Sequence, residues 1–156
     1  MSTTVKTLVT FKSLAFNVSE PKDHLMNSYC FGDDVAKWLT EQLRIKGYEA
    51  PGEPAKEDFG WYFNFRVSGI EHCFVIGYRP GDENEEGLWI GWLERRRGFV
   101  ASLFGARKRG IQLVAVRAIH EVLSGSLQIR DVHWHSERDF ASGCESRWTP
   151  EPSAIQ

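Results

Sequence analysis

Hydrophobic residues in this chain follow two periods, and the switches between them mark out its elements. The first is the two-residue alternation of a strand. In "KTLVTFKSLAFNV", Val9, Phe11 and Ala15 alternate with Thr10 and Lys12, while Leu8, Leu14 and Phe16 take the opposite parity. That change of parity predicts a strand that bulges or swaps face near Ser13. After the loop "SEPKDHLMNSYCFG" the period lengthens. Val35, Trp38, Leu39 and Leu43 of "DDVAKWLTEQLRIKG" fall on one stripe of a helix, with Lys37, Glu41, Arg44 and Lys46 mostly off it. Gly32 or Asp33 is placed to cap this helix, and Gly47 to end it in the left-handed conformation.

Alternation returns three times in succession. A proline- and glycine-marked connection, with a short strand at Tyr48 to Ala50, leads into "WYFNFRVSG". There Trp61, Phe63, Phe65 and Val67 share one face and Tyr62, Asn64, Arg66 and Ser68 the other. "EHCFVIGYRPG" follows across a Ser68-Gly69 turn, with Phe74, Ile76 and Tyr78 opposite Cys73, Val75 and Gly77. "LWIGWLERR" comes after the acidic turn "PGDENEEG"; its two parities are both apolar, so either Trp89 or Trp92 must point away from the core. A second helix, "IQLVAVRAIHEVLSG", carries Leu113, Val116, Ile119 and Leu123 at helical spacing, and "LQIRDVHWHS" is the last strand. The order β-α-β-β-β-α-β predicts an α+β fold: a single mainly antiparallel sheet with two helices packed on one face. Residues 1–145 make one domain, and 146–156, with two prolines and small polar residues, a flexible tail.

Composition narrows the function classes. The 156 residues carry 19 basic and 21 acidic side chains, a net charge of -2, which argues against a general polyanion binder. The charge is uneven. Arg95, Arg96, Arg97, Arg107, Lys108 and Arg109 stand against the single acid Glu94 in a segment that also holds Phe99, Val100, Leu103 and Phe104. Such a segment either touches a nucleic-acid backbone or an acidic surface, or packs as a connector with wet arginines. Cys30, Cys73 and Cys144 are far apart and form no CxxC pair, which points to a reducing cytoplasm rather than a disulfide framework. No stretch is long and apolar enough to span a membrane, and the N-terminus has the pattern of a strand rather than a signal peptide.

The chemistry-bearing residues concentrate in "DVHWHSERDF". On a strand, Asp131, His133 and His135 share one face while Val132 and Trp134 face the core, so both histidines lie on the side away from the helices. Two imidazoles can share a zinc, but no patterned third ligand accompanies them; His24, His72 and His120 qualify by residue type alone, and neither a metal nor a cofactor is assigned. No serine sits in a GxSxG elbow, and neither a phosphate loop nor a dinucleotide fingerprint occurs. Cys30 precedes the first helix, but Asp33 and Asp34 oppose a lowered thiol pKa there. The residue types that favour interfaces, Tyr62, Arg66, Trp89, His133 and His135, are expected together on the helix-free face.

"YCFGDDVAKWLTEQLRIKGYE", "EDFGWYFNF", "GLWIGWLERRRG" and "DVHWHSERDF" together resemble an uncharacterised family of small bacterial α+β proteins, over roughly Leu14 to Phe140. The resemblance implies a bacterial, cytoplasmic setting and brings no catalytic residues. By analogy of size and class, it suggests an immunity-type or adaptor protein. The expectation is a non-enzymatic protein-binding module, monomeric or homodimeric, that occludes its partner with the open sheet face. The alternatives are nucleic-acid binding through residues 95–109 and a metal-dependent hydrolase around His133 and His135.

Overall fold

The hairpin expected at Ser68-Gly69 lies inside the sheet, and the rest of the sheet is assembled around it. Strand β4 (Gly60–Val67) pairs antiparallel with β5 (Ile70–Arg79), from Trp61↔Ile76 to Val67↔Ile70. Ser68 and Gly69 both have positive φ, 53° and 76°, the twist that a two-residue hairpin turn requires. The structure, a computed structural model, describes residues 3–16, 18, 31–58, 60–95 and 110–155. Short strands β1 (Thr3–Val5) and β3 (Ala55–Glu57), with β2 (Leu8–Lys12), β6 (Leu88–Glu94) and β7 (Arg130–His135), complete the described sheets, apart from β8 (Ser153–Ile155). The main sheet has the order β3-β4-β5-β6-β2-β7 with every neighbouring pair antiparallel; β1 pairs with β8 in a separate two-stranded ribbon.

Helices α1 (Asp33–Ile45) and α2 (Leu113–Ser124) pack against this sheet and each other, as the α+β pattern predicts. Val35, Ala36, Leu39 and Leu43 of α1 are fully buried, and each leucine so placed contributes about 1.5–3 kcal/mol. The helix is capped by Gly32 at φ 128° without a side-chain bond, and a Cβ there would lie 3.1 Å from Trp61 Cδ1. Gly47 at φ 93° ends it as expected. The core is the helix side of the sheet: Val9, Phe11, Phe63, Phe65, Phe74 and Trp134 among others. Phe74 lies over Gly91, where an added Cβ would come 2.3 Å from its Cζ.

Two buried histidines serve this core. His72 Nε2 accepts the Gln112 backbone N–H at 3.1 Å and so fixes the start of α2. His120 Nδ1 accepts the Trp134 indole N–H at 3.0 Å, tying α2 to β7. The parity change expected near Ser13 takes a different form. β2 ends at Lys12, and the register with β7 shifts between Thr10 and Lys12, opposite Asp131 at φ 54°.

The C-terminal residues, which composition suggests as a flexible tail, are hydrogen-bonded along much of their length. Thr149 exchanges both backbone bonds with Trp134 on the outer edge of β7, at 2.8 and 2.9 Å. Lys6 N–H donates to Pro152 O at 2.7 Å, and β8 runs beside β1. Trp148 stacks on His133, and Glu151 reaches His120 Nε2 at 3.2 Å. Proline and small polar composition does not register these anchors, which all lie far away in sequence. Among the described residues no helix is long and apolar enough to cross a membrane.

A candidate binding cleft on the helix-free face

Strand registers assign each side chain to a face. The row Tyr62, Val75, Trp92, Leu8 and His135 crosses the sheet on the side away from the helices, and Gly77, Ile90, Thr10 and His133 form the next row. His133 and His135 therefore lie where alternation puts them. Trp89 does not. It pairs with Tyr78 and Phe11, faces the helices and is fully buried, so it is no surface anchor; Trp92 takes the helix-free side instead. The reason is Gly91. With Phe74 filling the space above it on the core side, the strand parity is fixed and Trp89 shares that side.

The expected interface residues are not gathered into one patch. Tyr62 and His135 occupy the same row but stand four strand spacings apart, about 19 Å. Arg66 is exposed on β4, farther along the same strand. What adjoins the histidines comes from after β7. Ser136 Oγ accepts the Asp139 N–H at 3.1 Å and caps a short helix, α3 (Glu137–Ala141). A turn at Gly143 (φ 85°) leads into a 3-10 turn at Glu145–Arg147. This excursion, including the short α3, covers part of the face opposite α1 and α2 and leaves two compartments beneath it.

The first compartment, about 520 Å³, is apolar: Leu8, Gly77, Ile90 and Trp92 come from the sheet, and Phe140 and Ala141 from α3. The second, about 600 Å³, is polar and holds Thr10, Lys12, Arg79, His133, His135 and Glu145, with the acidic turn Asp82 to Glu86 along its rim. Phe140 stands between them. Its ring meets His135 edge-on at 5.2 Å and lies 6.0 Å from the Arg79 guanidinium carbon.

Electrostatics in the polar compartment are set by pairing. Arg79 donates two bonds to Glu145, at 3.1 and 3.0 Å, which holds the Glu145 carboxyl below the usual carboxylate range. Arg130 donates to both oxygens of Glu86, and Lys12 lies 4.0 Å from Asp131. Burial lowers the pKa of both imidazoles. At His135 the neighbouring His133, Lys6 and Arg79 push the same way and Glu145 opposes; at His133 Lys12 pushes the same way and Asp131 opposes. Both shifts favour the neutral ring. His133 lies flat against Trp148, with centroids 3.6 Å apart and planes 7° apart. His135 Nε2 meets Thr10 Oγ1 at 2.9 Å, while its buried Nδ1 has no hydrogen-bond partner among the described residues.

Arg95 donates to Gly110 O at 3.0 Å; Arg96, Arg97, Arg107, Lys108 and Arg109 lie outside the described residues, as do Cys30 and His24. Among the described residues, no group of three or more His, Cys, Asp or Glu side chains is arranged to hold a metal ion. Arg79, Glu145, Phe140 and Trp148 are the cleft residues that local pattern does not reveal. Only Trp148 leaves a trace in the sequence, as a large aromatic within a segment otherwise composed like a tail. No family model, curated protein or solved structure matches this chain.

Proposed function

We propose that this protein is a non-enzymatic binding module that captures a protein partner in the cleft between the sheet and its C-terminal excursion. The observation that carries this reading is the pairing of compartments: an apolar one lined by Leu8, Ile90, Trp92 and Phe140 beside a polar one lined by His133, His135 and Arg79. An interface of this kind works through a few side chains inserted into preformed hollows, with polar groups fixing the register. Trp92 takes the anchor role that the sequence pattern suggested for Trp89. Tyr62 and Arg66, on the same face but across the sheet, are peripheral contacts. Arg79 is committed to Glu145, and among the described residues none hydrogen-bonds His135 Nδ1 to orient the ring as a base. Both features favour recognition over chemistry.

The test is site-directed photo-crosslinking. A crosslinking amino acid at Ser146, exposed at the polar compartment, should trap a partner in cell extract; the same group at Leu127, which is fully exposed beyond the end of α2, should not. Ala141→Trp fills the apolar compartment from an exposed position and should abolish the Ser146 adduct. Adducts that form only from Leu127, or that ignore the substitution at Ala141, contradict the reading.

A further inference from the structure

Resting on that reading of the cleft, we infer that the partner segment it takes carries a basic side chain, arginine or lysine, for the polar compartment and an adjacent apolar side chain for the other. Charge complementarity commits the cleft to this occupant. Its polar walls hold two cationic side chains, Lys12 and Arg79, against four carboxylates, those of Asp82, Glu85, Glu86 and Glu145. Arg79 is committed to Glu145 and Lys12 to Asp131, while Glu86 is matched by Arg130. Asp82 and Glu85 remain without an ion-pair partner among the described residues, so the compartment presents two unmatched negative charges. An anionic ligand would meet the two unmatched carboxylates, whereas a cation is attracted by them and leaves every existing pair in place.

The second observation is independent of that acidic rim. His135 is 3% exposed, lines the same compartment and has a buried Nδ1 without a partner. Burial favours the neutral form of its ring. In the tautomer that carries its proton on Nε2, facing Thr10 Oγ1, Nδ1 presents a lone pair for which a guanidinium or ammonium is the matching donor. Trp148, 42% exposed and stacked on His133, adds an aromatic face of the kind that attracts a cation. The apolar compartment lies just across Phe140, close enough for the neighbouring residue of one extended segment.

A random peptide library displayed on phage and panned against the full chain tests this. The expected selection is enriched in arginine or lysine next to leucine, phenylalanine or tryptophan. A selected peptide should lose about tenfold in affinity to Asp82→Asn/Glu85→Gln, two exposed loop positions whose change leaves the fold intact. Replacing the peptide's basic residue with glutamine should produce a similar loss. Selected peptides that lack a basic residue yet are blocked by Ala141→Trp overturn the cationic partner and leave the cleft reading standing. Peptides indifferent to Ala141→Trp, or no enrichment at all, overturn both.

Discussion

Replacing His120 with phenylalanine removes the acceptor for the Trp134 indole N–H and keeps a ring in the same place. Trp134 is fully buried near the end of β7, between the two cleft histidines. In the wild type its indole N–H donates to His120 Nδ1 at 3.0 Å, so Nδ1 is the unprotonated nitrogen and Nε2–H faces Glu151 at 3.2 Å. Without the acceptor, the indole N–H stays buried and unsatisfied, at a cost of about 1–3 kcal/mol. Glu151 is 59% exposed, so losing its contact adds little. The net expectation is about 2 kcal/mol. With a urea m-value of about 2 kcal/mol/M, the unfolding midpoint should fall by about 1 M with the slope unchanged. His120→Asn is the control, because its Oδ1 takes roughly the place of Nδ1 and can accept the same proton; it should recover more than half of the loss. Equal midpoints for the wild type and His120→Phe, or for the Phe and Asn variants, would refute this account of how β7 is anchored.

Other expectations follow from the same geometry. Gly91→Ala puts a methyl group into the Phe74 ring and should cost about 1–3 kcal/mol in thermal unfolding, with partial rescue by Phe74→Leu; an unchanged melting temperature contradicts the packing. Burial depresses the pKa of His72, His133 and His135 below the ordinary 6.5, so the unfolded chain binds more protons just below that value. Their contribution is complete well above pH 6.5 and is lost as pH falls through the depressed folded-state values, so the urea midpoint should decline as pH drops below about 6.5; a flat profile counts against it. Arg79→Gln removes a positive charge near His135 and the partner of Glu145, so NMR titration should show both groups moving up from their wild-type pKa values. Trp148→Ala removes the stack on His133 and should cost about 1 kcal/mol, again by urea unfolding.

The β4–β5 hairpin and α1 were legible because local pattern and tertiary demand agree there. Alternation, a two-residue turn with positive φ and an apolar stripe all point one way. Strand β6 was only half legible. Leu88, Trp89, Ile90, Gly91, Trp92 and Leu93 are apolar on both parities, because one side meets the helices and the other is partly covered by α3. The choice between Trp89 and Trp92 rests on the fit of Phe74 over Gly91, a contact between strands. The placement of β2 between β6 and β7 is likewise a long-range pairing without a local signal. The histidines were placed correctly by alternation, but the groups that make a cleft around them were not. Arg79 and Glu145 are 66 residues apart, and the excursion that brings them together follows a helix of only five residues.

The most direct measurement of the central claim is a two-dimensional 1H–15N NMR titration of the full chain with a library-selected peptide. The account expects shifts concentrated at Leu8, Thr10, Leu88, the Trp92 indole, His133 and Phe140, on both sides of the cleft. Shifts concentrated instead on the exposed faces of α1 and α2, or at Tyr62 and Arg66 with the cleft silent, would contradict it.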